Sequence, residues 1–387
     1  MTNPLLSGIR VLDLTRLLPG PFCTLYLAQM GAEVIKIEEP RGGDYTRSLS
    51  PELFALVNRH KKSVTLDLRV PEAAAAFRKM AERADVVIES FRPGVMDKLG
   101  CGYEALRDVN PRLVYAALTG YGQTGPYRDR AGHDMNYCGY AGVLDQSGAR
   151  DGPPALSNFH IADLAGGAMT CAIGILAAVI GARASGIGSF VDVSMLEGTL
   201  ALQVMALSTM RAIGRAQPRG NDMLTGSLPN YNVYASADGK HVAMAALEPK
   251  FFINFCAAVS RPDLLRMPLA PGEGGAALYA ELSALFRTRT RDEWESLLGD
   301  KDCCVSAIYT PEEALEHAQV RARALVESDA GKPAFRLPIR FSGASCSAGG
   351  NHQNTGSPGL GADTQEVLRA AGVSEEQLAT LQAARAI

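Results

Sequence analysis

Residues 8–38 read GIRVLDLTRLLPGPFCTLYLAQMGAEVIKIE, and their pattern decides the fold. Gly8-Ile-Arg-Val-Leu-Asp-Leu14 is a short run rich in branched apolar residues, the composition of a strand covered on both faces. Residues 22–30 follow as a helix. Pro21 sits near its start, where the N–H that proline lacks has no helical partner anyway. Val34-Ile-Lys-Ile37 is the next strand. Strand, helix and strand in so short a span form a βαβ unit, whose two strands run parallel.

The rhythm continues outward. Residues 63–68 read as a strand and 71–83 as an Ala-rich helix. Asp85-Val-Val-Ile88 and Leu113-Val-Tyr-Ala-Ala-Leu118 are further strands. The predicted fold is α/β, a Rossmann-like parallel sheet with helices on both faces. The dinucleotide fingerprint is missing. The turn after the first strand is Thr15-Arg-Leu-Leu-Pro-Gly-Pro21, not GxGxxG, although Glu38-Glu39 ends the second strand where a ribose-binding carboxylate would sit. No nicotinamide or flavin cofactor is expected.

Residues 186–194 look like another strand and 197–213 like one helix. Around 214–229 the composition turns to Gly, Pro, Arg and Asn, which is linker chemistry. Residues 231–247 read as a hairpin turned at Asp238-Gly239. Helical stretches follow at 251–259 and 276–286, with a short strand at 304–308. The Ser-, Gly- and Asn-rich segment 342–358 reads as loop, and the last helix starts near Thr364. The predicted organisation is a large domain of 1–213 and 326–387, a linker at 214–224 and a small α+β domain at 225–325.

The chain has 387 residues, 47% of them hydrophobic and 20% charged, with a net charge of -3. That length suits two domains of a soluble globular protein. With no global basic field, a nucleic-acid or membrane-surface partner is not expected, and any anionic ligand needs a local cation cluster. The eight cysteines form no CxxC pair and no zinc-ligand spacing, so free thiols in a reducing compartment are expected. No signal peptide is read at the N-terminus. Residues 164–182 carry no charge, long enough to suggest a membrane span, but their Gly and Ala content fits a closely packed interior helix.

Four constellations carry chemistry. His133, within Gly132-His-Asp-Met-Asn-Tyr137, follows the glycine-rich segment 120–126. An imidazole there fits a base that takes and returns a proton near neutrality, or a plain loop histidine. Asp163 leads into the apolar helix and fits either a reactive carboxylate or a helix cap. Glu248, in Ala-Leu-Glu-Pro-Lys250, reads by itself as a solvated glutamate. The fourth set is cationic: Arg59, Lys61 and Lys62, then Arg92 in Phe91-Arg-Pro-Gly94, and Lys98. Cations gathered at strand C-termini suit the phosphates of an extended anion such as coenzyme A, or are a solvated charge run.

In ordered combination these segments resemble the family III CoA-transferase group, also called CaiB/BaiF. The matches run from 8–14 and Pro19-Gly-Pro21 through 31–38, 58–63, 91–94 and 120–126 to Asp302-Cys-Cys-Val305. The resemblance implies one of two chemistries. In transferases an Asp attacks an acyl-CoA and forms a mixed anhydride. In α-methylacyl-CoA racemases acid–base residues exchange the α-proton through an enolate. Gly132-His-Asp-x-Asn-Tyr137 is similar to the racemase signature, and Leu247-Glu-Pro-Lys-Phe251 to a racemase motif. The resemblance therefore implies His133 and Asp163 as the proton-exchanging pair, with Glu248 orienting or polarising His133. It maps CoA contacts onto Leu66, Asp67, Leu68 and Arg69 and onto Gly132, Asp134, Met135, Asn136 and Tyr137. A racemase Arg contacting CoA aligns with Glu39, so that contact is lost or comes from Arg41, Arg47 or Arg59. The racemase Gly-Gly-Ala-Pro run is replaced by Gly226-Ser-Leu-Pro229, which alters the acyl pocket. An acyl-CoA thioester partner, an interlocked homodimer, a cytoplasmic location and no cofactor complete the expectation. Backbone N–H groups near Asp163 are the expected stabilisers of the enolate oxygen.

Overall fold

A computed structural model describes residues 5–342 and 356–387. Most of the segment expected as loop at 342–358 therefore lies outside the described residues. The large unit comprises Met1–Val143, Asn158–Leu202 and Arg323–Ile387, and the small one Leu144–Ser157 with Gln203–Ala322.

The large unit starts with β1 (Arg10–Asp13), α1 (Pro19–Gln29) and β2 (Glu33–Glu38). β3 (Lys62–Thr65), α2 (Pro71–Ala81), β4 (Val86–Glu89) and β5 (Val114–Thr119) follow. A short helix α3 (Asp134–Tyr140) precedes the long helix α4 (Ala162–Ser185), then β6 (Phe190–Ser194) and α5 (Met195–Ala201). The six strands are all parallel, in the order β3-β2-β1-β4-β5-β6. Strand order therefore reverses between β1 and β4, where doubly wound sheets open a crevice at their C-terminal edge. Strand interiors such as Val11, Leu12, Val86, Val87, Ile88 and Ala116 are fully buried. That explains why they read as unbroken apolar runs rather than alternating ones.

The chain end returns to this sheet. α10 (Thr364–Ala370) sits beside β3, and Thr364 Oγ1 accepts the Thr65 N–H at 3.0 Å. Asp67 N–H donates to the Ala386 carbonyl at 2.8 Å.

α4 departs from simple helical geometry. Its first turns, Ala162–Met169, are wound as a π-helix, a form frequent at functional sites. Gly166 permits the approach of α5, because a Cβ there would collide with the Thr199 hydroxyl. α4 is apolar and long enough to cross a membrane by length and composition alone. Its Cys171, Ile175, Val179 and Ala182 are buried, and the helix packs on α1, β5 and β6. Its other side leaves Met169, Ile173 and Ile180 exposed.

In the small unit, α6 (Val204–Ile213) is a separate helix: the single helix expected over 197–213 breaks at Leu202 and Gln203. The expected hairpin is β7 (Tyr231–Ala235) and β8 (His241–Ala245), with β9 (Val305–Ala307) antiparallel to β8. Gly239 turns the hairpin at φ +75°, the left-handed region open to glycine. Against the sheet pack α7 (Pro249–Ala258), α8 (Ala276–Phe286) and α9 (Arg291–Leu298). Trp294 is buried among Tyr234, Phe255 and Phe286, and its indole N–H donates to the Phe286 carbonyl at 2.8 Å.

Candidate active site

β5 ends at Thr119, and the glycine-rich segment that follows carries the chain to His133 at the N-cap of α3. Four tyrosines fix this loop. Tyr121 meets Tyr137, Tyr127 and Tyr140 edge-on, with ring centroids 5.2, 5.7 and 6.1 Å away. The buried Tyr137 hydroxyl donates to the Gly132 carbonyl at 2.6 Å. Gly120 and Gly132 are needed there: a Cβ on Gly132 would lie 2.6 Å from the Tyr121 hydroxyl, and one on Gly120 would lie 2.5 Å from the Tyr137 ring. Asn136 Oδ1 accepts the His133 N–H at 3.0 Å, so Asn136 secures the backbone of the loop. The imidazole of His133 and the side chain of Met135 remain exposed.

Asp163 enters from the first turn of α4. It does not cap that helix. The N-cap residue is Ile161, which has no side-chain acceptor, and Asp134 supplies the cap from α3. Asp134 Oδ1 accepts the Ala162 N–H at 2.8 Å and the Asp163 N–H at 3.0 Å. Burial pushes the Asp163 carboxyl up to about 6, and the neighbouring Asp134 charge pushes the same way; the His160 and His133 imidazoles pull it back. The structure thus brings His133, Asp134 and Asp163 into one electrostatic neighbourhood. His160 joins them, a residue the sequence reading passed over; its spacing three residues before Asp163 is the signal that could have found it.

The oxyanion expectation needs correcting. The Ala162 and Asp163 amides are taken by Asp134, and Leu164 N–H donates to the His160 carbonyl at 2.9 Å. The leading amides of α4 are therefore occupied.

The cationic set is not gathered as expected. Arg59 is buried, its guanidinium bonded to the Phe335 carbonyl and 3.6 Å from Glu327. Lys61 is buried on Asp13 and Thr24, at 3.2 and 2.7 Å. Lys62 begins β3 and pairs with Glu33 and Glu366. Of the replacements considered for the contact at Glu39, Arg47 is committed to Glu38 at 2.7 Å, whereas Arg41 is exposed beside Glu39. Leu66 and Leu68 are core residues. Asp67 binds the exposed Arg69 at 2.7 Å, and Arg69 also reaches Glu39 at 3.3 Å.

At the reversal of strand order stand the exposed Arg92 and the half-buried Arg16, the latter unmarked by the sequence reading. Arg16 stacks over Phe91 and Tyr45, 4.9 and 5.2 Å from their centroids, and its N–H donates to Ser90 Oγ at 3.2 Å. Its position just beyond β1 was the available signal. Glu248 belongs to the small unit, at the N-cap of α7, where its carbonyl accepts the Phe251 N–H. Among the described residues, no cluster of His, Cys, Asp and Glu could hold a metal ion.

Fold and site together define an α/β protein in which a carboxyl and imidazoles lie near one another beyond the strands of a Rossmann-ordered sheet. The chain belongs to CoA-transferase family III, which it matches over residues 6–364. It is 34% identical to the α-methylacyl-CoA racemase of Mus musculus, covering 99% of this chain and 97% of that one. It is 33% identical to the succinyl-CoA–D-citramalate CoA-transferase of Chloroflexus aurantiacus, covering 99% and 98%. Among solved structures, a CaiB/BaiF family protein from Brucella suis superposes with a TM-score of 0.83 at 29% identity, covering 96% of this chain and all of that one.

Proposed function

We propose that this chain racemises 2-methylacyl-CoA thioesters. One group removes the α-proton, its C–H electron pair passes into the enolate, and a second group returns a proton to the opposite face. His133 and Asp163 are the two groups. The observation that carries this reading is the Asp163 carboxyl held near neutrality, at about 6, beside an imidazole. A carboxyl held there can both take and return a proton at working pH, as α-proton transfer in both directions requires.

A thioester α-proton is too weakly acidic for such bases unaided, so the enolate oxygen needs preorganised donors. The leading amides of α3, those of Asp134 and Met135, are the candidates, because the corresponding amides of α4 are already bonded. Gly132 to Tyr137, with Asp67 and Arg69, line the CoA path, and Arg16 and Arg92 meet its phosphates in place of the internally paired Arg59 and Lys62. The reaction draws on no cofactor. The exposed Met169, Ile173 and Ile180 stripe supports a homodimer, since a second copy would cover it.

The test is α-deuterium uptake by single enantiomers of 2-methylacyl-CoA in deuterated water, followed by loss of optical purity. His133→Ala and Asp163→Ala should each abolish it; exchange at the wild-type rate in either variant refutes the assignment. A second reading has support in the similarity to a CoA-transferase: Asp163 attacks the thioester carbonyl and CoA thiolate leaves, giving a mixed anhydride. Trapping an adduct on Asp163 with hydroxylamine or borohydride, with no α-exchange, would favour it.

A further inference from the structure

We propose that Asp134 is a positioning residue whose carboxylate clamps the Asp163-bearing turn of α4 to the His133-bearing start of α3. The inference rests on reading Asp163 and His133 as the reacting pair. His133 and Asp134 share a peptide bond. One oxygen of Asp134, Oδ1, then accepts the Asp163 N–H at 3.0 Å and the Ala162 N–H at 2.8 Å. Between the two reacting residues there is thus one peptide link, one short side chain and one hydrogen bond. Its two χ angles leave little slack.

The sequence of α4 makes the clamp necessary. A helix start leaves amides without intrahelical partners, and a polar residue at its own N-cap ordinarily satisfies them. Ile161 cannot. An anion at that end is also favoured by the helix dipole. The second oxygen, Oδ2, lies 3.6 Å from the Cys138 sulfur, one turn along α3. Clamp and charge act together on Asp163: the same carboxylate that fixes its backbone opposes its ionisation.

The other groups around Asp163 are few. His133 and His160 offset the charge, while Tyr137 and Cys138 on α3 stand near both carboxylates. Of the remaining elements packed on this turn, α1 and β5 carry no charged residue, α5 carries Glu197, and β6 carries Asp192, which accepts the Gln123 N–H at 3.1 Å.

Position and charge can be separated by two substitutions. Asp134→Asn keeps an Oδ1 acceptor for both amides and loses the charge. Asp134→Ala loses both. With 2-methylacyl-CoA, Asp134→Ala should lower kcat about 100-fold with KM little changed, the cost of a misplacement of about 1 Å. Asp134→Asn should recover most of that loss and move the limb of the pH profile assigned to Asp163 to lower pH, by about one pH unit. A wild-type kcat in Asp134→Ala, or an unmoved limb in Asp134→Asn, overturns the proposal. A second readout does not depend on the reaction. Carbon-13 NMR of aspartate-labelled enzyme, with the Asp163 signal identified by its loss in Asp163→Asn, gives the carboxyl midpoint directly. A midpoint lowered by Asp134→Asn supports the clamp, and an unchanged one overturns it. Absence of any α-exchange by the wild type would sink the racemase reading alone, leaving the NMR midpoint to decide the clamp.

Discussion

Asp163→Asn should make the protein more stable at neutral pH while abolishing its activity. The folded environment raises the Asp163 carboxyl from 3.8 to about 6. Each unit of such a difference is worth about 1.4 kcal/mol, so the upper bound is about 3 kcal/mol. The direction follows from proton linkage. The folded protein holds this proton more tightly than the unfolded chain, so the Asp163 contribution to stability is greatest below about pH 4 and is lost as pH rises to about 6 and beyond. Asparagine has no proton to lose and escapes that decline. The variant should match the wild type near pH 4 and exceed it near pH 8 by about 1–3 kcal/mol, the lower figure reflecting solvent access to a half-buried group. In a unit of this size that is a rise in Tm of about 2–6 °C. Thermal melts of both proteins across this pH range measure it. A variant less stable than the wild type at pH 8, or a difference that does not vary with pH, would refute the account of Asp163 as a penalised charge.

Three further outcomes are expected. Gly132→Ala forces a Cβ against Tyr121 and Tyr137 and so displaces His133; α-proton exchange should fall about 100-fold with the circular dichroism spectrum retained. Asp13→Ala strips the buried Lys61 of its counter-charge and should cost about 3–5 kcal/mol in denaturant titrations, more than a double replacement of Asp13 and Lys61 by apolar residues. Ile173→Asp with Ile180→Asp places charges on the exposed side of α4; light scattering should show the proposed dimer for the wild type and a monomer for the variant, and equal masses would show that this stripe is not the contact.

The sheet was legible because burial on both faces writes itself as local composition. All five strands read up to residue 118 appear within a few residues of their expected positions, and the sixth starts later than expected, at Phe190. The Asp238-Gly239 hairpin was equally readable, since a left-handed turn residue is a local demand. What escaped depends on distant partners. The close approach of α4 to α5 depends on Gly166 meeting Thr199, and the cap of α4 comes from Asp134, 28 residues before Ala162. The cation cluster at 59–62 misled for the same reason. Adjacent residues there face different directions, Arg59 to Glu327, Lys61 to Asp13 and Lys62 to Glu366. His160 and Arg16 look ordinary in sequence and gain meaning only from what stands beside them.

The turn after β1 has a consequence for what such a sheet can hold. In dinucleotide-binding relatives of this architecture, glycines let bare amides wrap a pyrophosphate. Here Lys36 grips the Thr15 carbonyl from beneath at 2.8 Å and Asp44 at 3.0 Å, while Asp44 takes the Leu17 amide at 3.0 Å. The turn is tied down from inside by ions and has no amide cradle to offer. Any phosphate arriving at this crevice would meet the guanidinium groups of Arg16 and Arg92 instead. Grafting a glycine-rich turn onto β1 would strand the interior lysine rather than create a nucleotide site.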